Sequence, residues 1–183
     1  MSRRFRLHHG AVAAALIAAA GLVHSASAQT APPAPPACAA DPNYRQLDYL
    51  VGHWDAFKTD GSKTAEVILE PALDGCTVTF AWKPVVATAQ TGTGFFTYSR
   101  LRKSPMFLYA GNKGGDTAAL KAEAKPNDIT FLIEYPSASG TGTTVRRFRL
   151  ALQADGSMLE TSHISDNGAP FKPSFEAHWK KHQ

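Results

Sequence analysis

Cysteine is scarce in this chain, at two residues in 183, and charged residues make up only 19% of it. No Gly-x-Ser-x-Gly occurs, so the sharp turn that presents a serine nucleophile in α/β-hydrolases is excluded. Both cysteines fall beyond the basic, apolar N-terminus, and two thiols exposed to an oxidising compartment pair more readily than they act as nucleophiles. One apolar run, Ala11 to Val23, stands out, and it is shorter than the roughly 20 residues a membrane-spanning helix requires. No second run follows, which leaves no stable membrane anchor. The net charge of +4 loses three units with Arg3, Arg4 and Arg6, leaving +1 for residues 29–183. Without a concentrated basic face, nucleic-acid binding is excluded. Gly92-Thr93-Gly94 and Gly140-Thr141-Gly142 lead into no helix, so neither is a phosphate cradle.

The N-terminus has the layout of a secretory signal. Three arginines precede the alanine-rich apolar stretch, and Ala26-Ser27-Ala28 is an A-x-A cleavage site. Residues 1–28 are therefore expected to be a signal peptide, with export to the periplasm or beyond. Residues 29–40, with Pro32, Pro33, Pro35 and Pro36, form a proline-rich spacer. Residues 41–183 suit one domain. Cys38 and Cys76 are expected to form a disulfide, a link that the chain-entropy model rates at roughly 4 kcal/mol. Acylation of Cys38 is the competing reading, but no small-residue box links it to the apolar core.

Turn chemistry recurs at short intervals: Asp60-Gly61, Asp74-Gly75, Gly114-Gly115-Asp116, Pro126-Asn127-Asp128, Asp155-Gly156 and Asn167-Gly168. Between the breaks lie about ten short segments rich in β-branched and aromatic residues. Their alternation is that of half-buried strands. Val78, Phe80 and Trp82 oppose Thr77 and Thr79; Phe148 and Leu150 oppose Arg147 and Arg149; Ala118, Leu120, Ala122 and Ala124 oppose Lys121, Glu123 and Lys125. Only Pro42 to Leu50 reads as a short helical turn. The fold class is all-β: an up-and-down antiparallel barrel of about ten strands, closed because open edges that long invite aggregation. A sandwich is second, since the spacing lacks Greek-key crossovers.

Leu47-Asp48-Tyr49-Leu50-Val51-Gly52-His53-Trp54-Asp55 runs from that helical turn into the first strand. Glycine permits the bend, and tryptophan offers a plate to close a barrel end. With Ile68-Leu69-Glu70-Pro71-Ala72-Leu73-Asp74-Gly75-Cys76, Asp155-Gly156-Ser157 and the terminal Phe175-Glu176-Ala177-His178-Trp179-Lys180, this segment resembles exported bacterial lipocalin-like (calycin-type) barrels of unknown function. The resemblance spans about 38–182. It implies a barrel and an exported location, and it supplies no activity. In lipocalins the tryptophan commonly packs under a late-strand basic side chain, so Gly52, Trp54 and Arg146 are expected to close the barrel, with Lys180 as the weaker partner. One class of such barrels binds haem through a late-strand histidine, which makes His163 or His178 a conceivable ligand. His178, however, shares parity with Glu176 and Lys180.

Trp82, Phe96, Tyr98, Tyr109 and His163 are expected to line a pocket for a small apolar ligand. No catalytic residue, metal or cofactor is expected. His178 and His182 are four apart on a strand and do not converge. An envelope enzyme, an isomerase or hydrolase using the barrel mouth, is the alternative, and it requires at least two titratable side chains converging inside the cavity, such as His163 with Glu134 or Glu160. A third reading, an interaction module without a cavity, predicts an exposed apolar patch instead.

Overall fold

Asp41 starts the ordered lead-in: its carboxylate accepts the Asn43 backbone N–H at 3.0 Å, and Pro42 occupies the first helical position. Both features favour a helix start. The computed structural model describes residues 37–183, so the expected signal segment 1–28 and most of the spacer lie outside the described residues. A 3-10 turn, Cys38–Ala40, is followed by α1 (Pro42–Arg45) and a second 3-10 turn, Asp48–Leu50. Eleven strands succeed them. They are β1 (Gly52–Phe57), β2 (Lys63–Ala72), β3 (Thr77–Pro84), β4 (Gly92–Ser99), β5 (Ser104–Gly111) and β6 (Asp116–Ala119). The remainder are β7 (Lys121–Lys125), β8 (Asp128–Pro136), β9 (Thr143–Leu152), β10 (Met158–Asp166) and β11 (Lys172–Lys181).

All neighbours are antiparallel, in the order β6-β5-β4-β3-β2-β1-β11-β10-β9-β8-β7. This is an up-and-down, nearly closed barrel, as the turn spacing predicts. The strand count differs by one, and the reason lies in residues 116–125. That segment pairs with β5 through Phe107↔Ala119, then with β8 through Lys121↔Leu132. One extended stretch thus serves both edges of the sheet and changes partner at Leu120. The inward parity slips by one at the change: Ala119 is buried before it, and Ala122 packs on the core after it. Ala118 and Ala124, expected on the inner face, are exposed. Across the seam, the Ser104 hydroxyl accepts the Ala122 backbone N–H at 3.0 Å, doing there what a ladder bond does elsewhere.

One end of the barrel is plugged. Trp54 is 1% exposed, and its indole N–H donates to the Leu50 carbonyl at 3.0 Å. Leu47 and Leu50 pack beneath the lead-in, and the Tyr49 hydroxyl reaches the Leu150 carbonyl at 2.9 Å. The basic partner of Trp54 is Lys181, whose Nζ lies 3.6 Å from the ring centroid and donates to the Val51 carbonyl at 3.1 Å. An ammonium so placed stabilises by roughly 0.5–2 kcal/mol. Arg146, the expected partner, does face inward, but it pairs with Ile133 and Ile164 near the far end of β9. Lys180 lies over Phe57 at 5.5 Å. Gly52 is required here: at φ +150, a Cβ would sit 2.2 Å from Lys181 Nζ.

The lead-in is tied to two turns at the plugged end. Cys38 and Cys76 form the expected disulfide. Arg45 Nη2 donates to the Gly75 carbonyl at 2.5 Å, and Arg100 pairs with Asp41 at 3.2 Å. Removing the bridge with Cys76→Ser is expected to destabilise the barrel by about 2–4 kcal/mol. Urea unfolding with and without reductant checks this: reductant should lower the wild-type midpoint and leave the variant unmoved.

Candidate functional site

The filled half of the interior ends in a stack of phenylalanines. Phe96 and Phe107 stack at 4.4 Å, Phe131 lies 5.9 Å from Phe107, and Phe80 meets Phe107 edge-on at 5.6 Å. Above this floor the barrel is open. A cavity of about 410 Å³ lies between Phe80, Phe107 and Phe148 below and Trp82, Tyr109 and Ile133 around its walls. Phe175 stands at its mouth, 41% exposed. Gly92 makes room for one wall: a Cβ there would meet the Tyr109 hydroxyl at 2.0 Å. The Gln90 amide donates to that same hydroxyl at 3.3 Å.

Five polar side chains enter this apolar space: Thr117, Arg146, Glu160, Ser162 and Ser174. Ser174 reaches the cavity because the β10–β11 register shifts between Ser162 and His163, which brings Ser174 and Phe175 to the same opening. Its hydroxyl donates to the Ser162 carbonyl at 3.0 Å. Glu160 is the buried acid among them, 9% exposed, and one carboxylate oxygen accepts the Trp179 indole N–H at 2.9 Å. Burial pushes the Glu160 carboxyl up to about 7, against the pull of that N–H and of the nearby Arg146 charge. Arg146 lies over Tyr135 at 5.8 Å, and its buried Nε has no hydrogen-bond partner.

The expected pocket residues separate. Trp82 and Tyr109 line the cavity. Phe96 is fully buried in the floor. Tyr98 lies at the plugged end, edge-on to Tyr44 at 5.7 Å. His163 is on the outer wall, because the inward positions of β10 are Met158, Glu160 and Ser162. There it borders a shallow polar hollow with Glu123, Thr130, Thr161, Arg147 and Arg149. His178 is exposed beside Glu176, at 3.3 Å. Neither histidine considered for haem opens onto the cavity. The sequence offers Glu160 only as a partner for His163 and gives no sign of Ser162 and Ser174, although a polar inner face on β10 departs from ordinary core patterning of the kind that functional sites show.

One outer cluster has metal-ligand chemistry: Asp55, Glu66 and His182 bring ligand atoms within 4.8 Å of one another. A cation already sits there, with Lys63 Nζ at 2.8 Å from Asp55 and 3.3 Å from Glu66. His53, facing away from the plug as its parity predicts, stacks on His182 at 4.2 Å.

No family model and no curated protein matches this chain. Among solved structures it is similar to Rv2717c from M. tuberculosis, with 14% identity and a TM-score of 0.47 over 78% of this chain and 99% of that one. The barrel assignment rests on the strand ladders alone.

Glu160 gives the site a pH signature. An ordinary glutamate titrates near 4.5, whereas the folded value is about 7. Between those limits only the folded chain holds the proton, so stability from this group is complete below 4.5 and is lost as pH rises through 7. Wild type should lose up to about 3 kcal/mol relative to Glu160→Gln between pH 4.5 and 8. Urea unfolding of both proteins across that range checks it. The lowered carboxyls Asp41, Asp55 and Asp128 act in the opposite sense and on the acid side, and they are common to both proteins.

Proposed function

We propose that this chain is an exported, lipocalin-like binding protein that holds a small, largely apolar ligand in the open half of its barrel. The observation that carries the reading is the cavity of about 410 Å³ with aromatic walls and few polar groups. Sites for small ligands have this character, at about 300–1,000 Å³. The Cys38–Cys76 bridge fits an oxidising compartment, and no helix among the described residues is long and apolar enough to cross a membrane. The resemblance in the Gly52-His53-Trp54 region points the same way.

Two observations bear on the alternatives. The enzyme reading asked for at least two titratable side chains converging inside the cavity; of those it named, His163 and Glu134 face outward and Glu160 alone lines the cavity. The interaction-module reading asked for an exposed apolar patch in place of a cavity, and the open space inside the barrel speaks against it.

Calorimetric titration with the neutral probe 2-naphthylmethanol tests the proposal. Saturable one-to-one binding is expected. Thr117→Trp, which fills the cavity from β6, should weaken binding at least about tenfold, equivalent to 1.4 kcal/mol. An unchanged circular dichroism spectrum would show that the fold survives. Absence of heat with the wild type, or equal binding by the filled variant, would overturn the reading. Native mass spectrometry of the freshly purified protein gives an independent check, since a retained ligand should be lost from the variant.

A further inference from the structure

Two opposite charges face the cavity without pairing with each other. Arg146 and Glu160 both line it, and among the salt bridges of the described residues none joins them, although the Arg146 charge acts on the Glu160 carboxyl. Glu160 is engaged by Trp179, whose N–H occupies one carboxylate oxygen. Arg146 has no hydrogen-bonded acceptor: its Nε is buried without a partner, and its guanidinium lies over the Tyr135 ring at 5.8 Å. A guanidinium stays charged at any physiological pH. A buried donor left without an acceptor is destabilising, so the pocket as it stands wants an acceptor at Arg146.

We propose that the cavity selects apolar ligands ending in a single carboxylate, which pairs with Arg146 and accepts a hydrogen bond from the Glu160 carboxyl, so that wherever that carboxyl is ionised in the free protein each anion enters together with one proton from solvent. This rests on the cavity-binding reading above. Charge, shape and donor pattern each support it. With Glu160 neutral, the cavity wall carries one positive charge, and one negative charge balances it. The planar guanidinium fork matches a carboxylate in two parallel bonds. A protonated carboxyl offers a donor to the incoming anion, whereas an ionised one repels it. A neutral alcohol leaves Arg146 uncompensated, an ammonium is repelled by it, and a dianion overcharges the site.

Burial supplies the proton in the right range, since it raises Glu160 to about 7. The groups facing Glu160 do not compete for it. Arg146 from β9 is a fixed cation, Trp179 from β11 donates without titrating, and Tyr109 from β5 lies across the cavity with its hydroxyl bonded to Gln90.

The test compares 2-naphthoate with 2-naphthylmethanol by calorimetry on the full folded domain. At pH 5.5 naphthoate is expected to bind more tightly than the alcohol. Its affinity should then fall by up to about tenfold per pH unit above 7, the limit for uptake of one proton. Glu160→Gln should flatten this pH profile. Arg146→Gln should lower the naphthoate-to-alcohol affinity ratio at least about tenfold, or 1.4 kcal/mol. Alcohol binding by each variant reports that the cavity is still formed. If the alcohol binds and naphthoate is not preferred, or Arg146→Gln leaves the ratio unchanged, this inference fails while the cavity reading stands. A naphthoate preference that is flat with pH in the wild type overturns the proton uptake. If neither probe binds, the cavity reading itself has failed.

Discussion

Two indole N–H groups must be satisfied inside this barrel, and the acceptors they find organise what surrounds them. A buried donor left unpaired is destabilising by about 1–3 kcal/mol. Trp54 takes the Leu50 carbonyl, which requires the lead-in turn to lie against β1. The Cys38–Cys76 bridge, Arg45 on the Gly75 carbonyl and Arg100 on Asp41 then hold that turn over the barrel end. Trp179 takes a side chain instead, Glu160, and so brings a carboxyl into the interior. One indole thus anchors the plug, and the other sets the polar end of the cavity.

The barrel has a filled half and an open half. Below Glu160, Trp54, Met158, Leu150 and Trp179 leave little space. Above it, the inner face of β4 carries Gly92 and Gly94, and their partners across the ladders are Trp82, Phe80 and Tyr109. Large rings fold over positions that have no side chain of their own. A wall of rings standing beside glycines encloses more space than a wall of aliphatic chains, which would meet in the middle. The cavity therefore follows from composition on two neighbouring strands, while its polar groups come from the opposite side, on β9, β10 and β11.

Much of the fold was legible because period-two alternation fixes which side of a strand is wet, and turn residues fix where strands end. The meander, the plugging role of Trp54, the disulfide and the outward His53 all follow from such local signals. The site was less legible, for three physical reasons. Parity shows which wall a residue faces but not its height in the barrel, so Arg146 and Tyr98 were assigned to the wrong ends. A slip in parity within an apparently regular run, as at Leu120, is invisible without the partner strands. On β10, chemical interest drew attention to His163, although the buried Met158 shares its face with Glu160 and Ser162. Lys181 was overlooked because nothing local distinguishes it from Lys180; only the β1–β11 register places it over Trp54.

The charged residues themselves separate the outer wall from the inner one. Outside, they are satisfied by one another: Arg149 grips Asp128 through two bonds at 2.8 and 2.7 Å, and Lys63 bridges Asp55 and Glu66. Arg147 lies over the Phe171 ring at 4.0 Å. Such surface pairs form readily because water screens the charges and covers any imperfection in geometry. Inside, where screening is weakest and an unpaired charge is most unfavourable, Arg146 and Glu160 stay apart. If their purpose were structural, the favourable arrangement would be direct contact. Both instead line the cavity from neighbouring strands without a salt bridge, which leaves the guanidinium available to a group that enters from the open side.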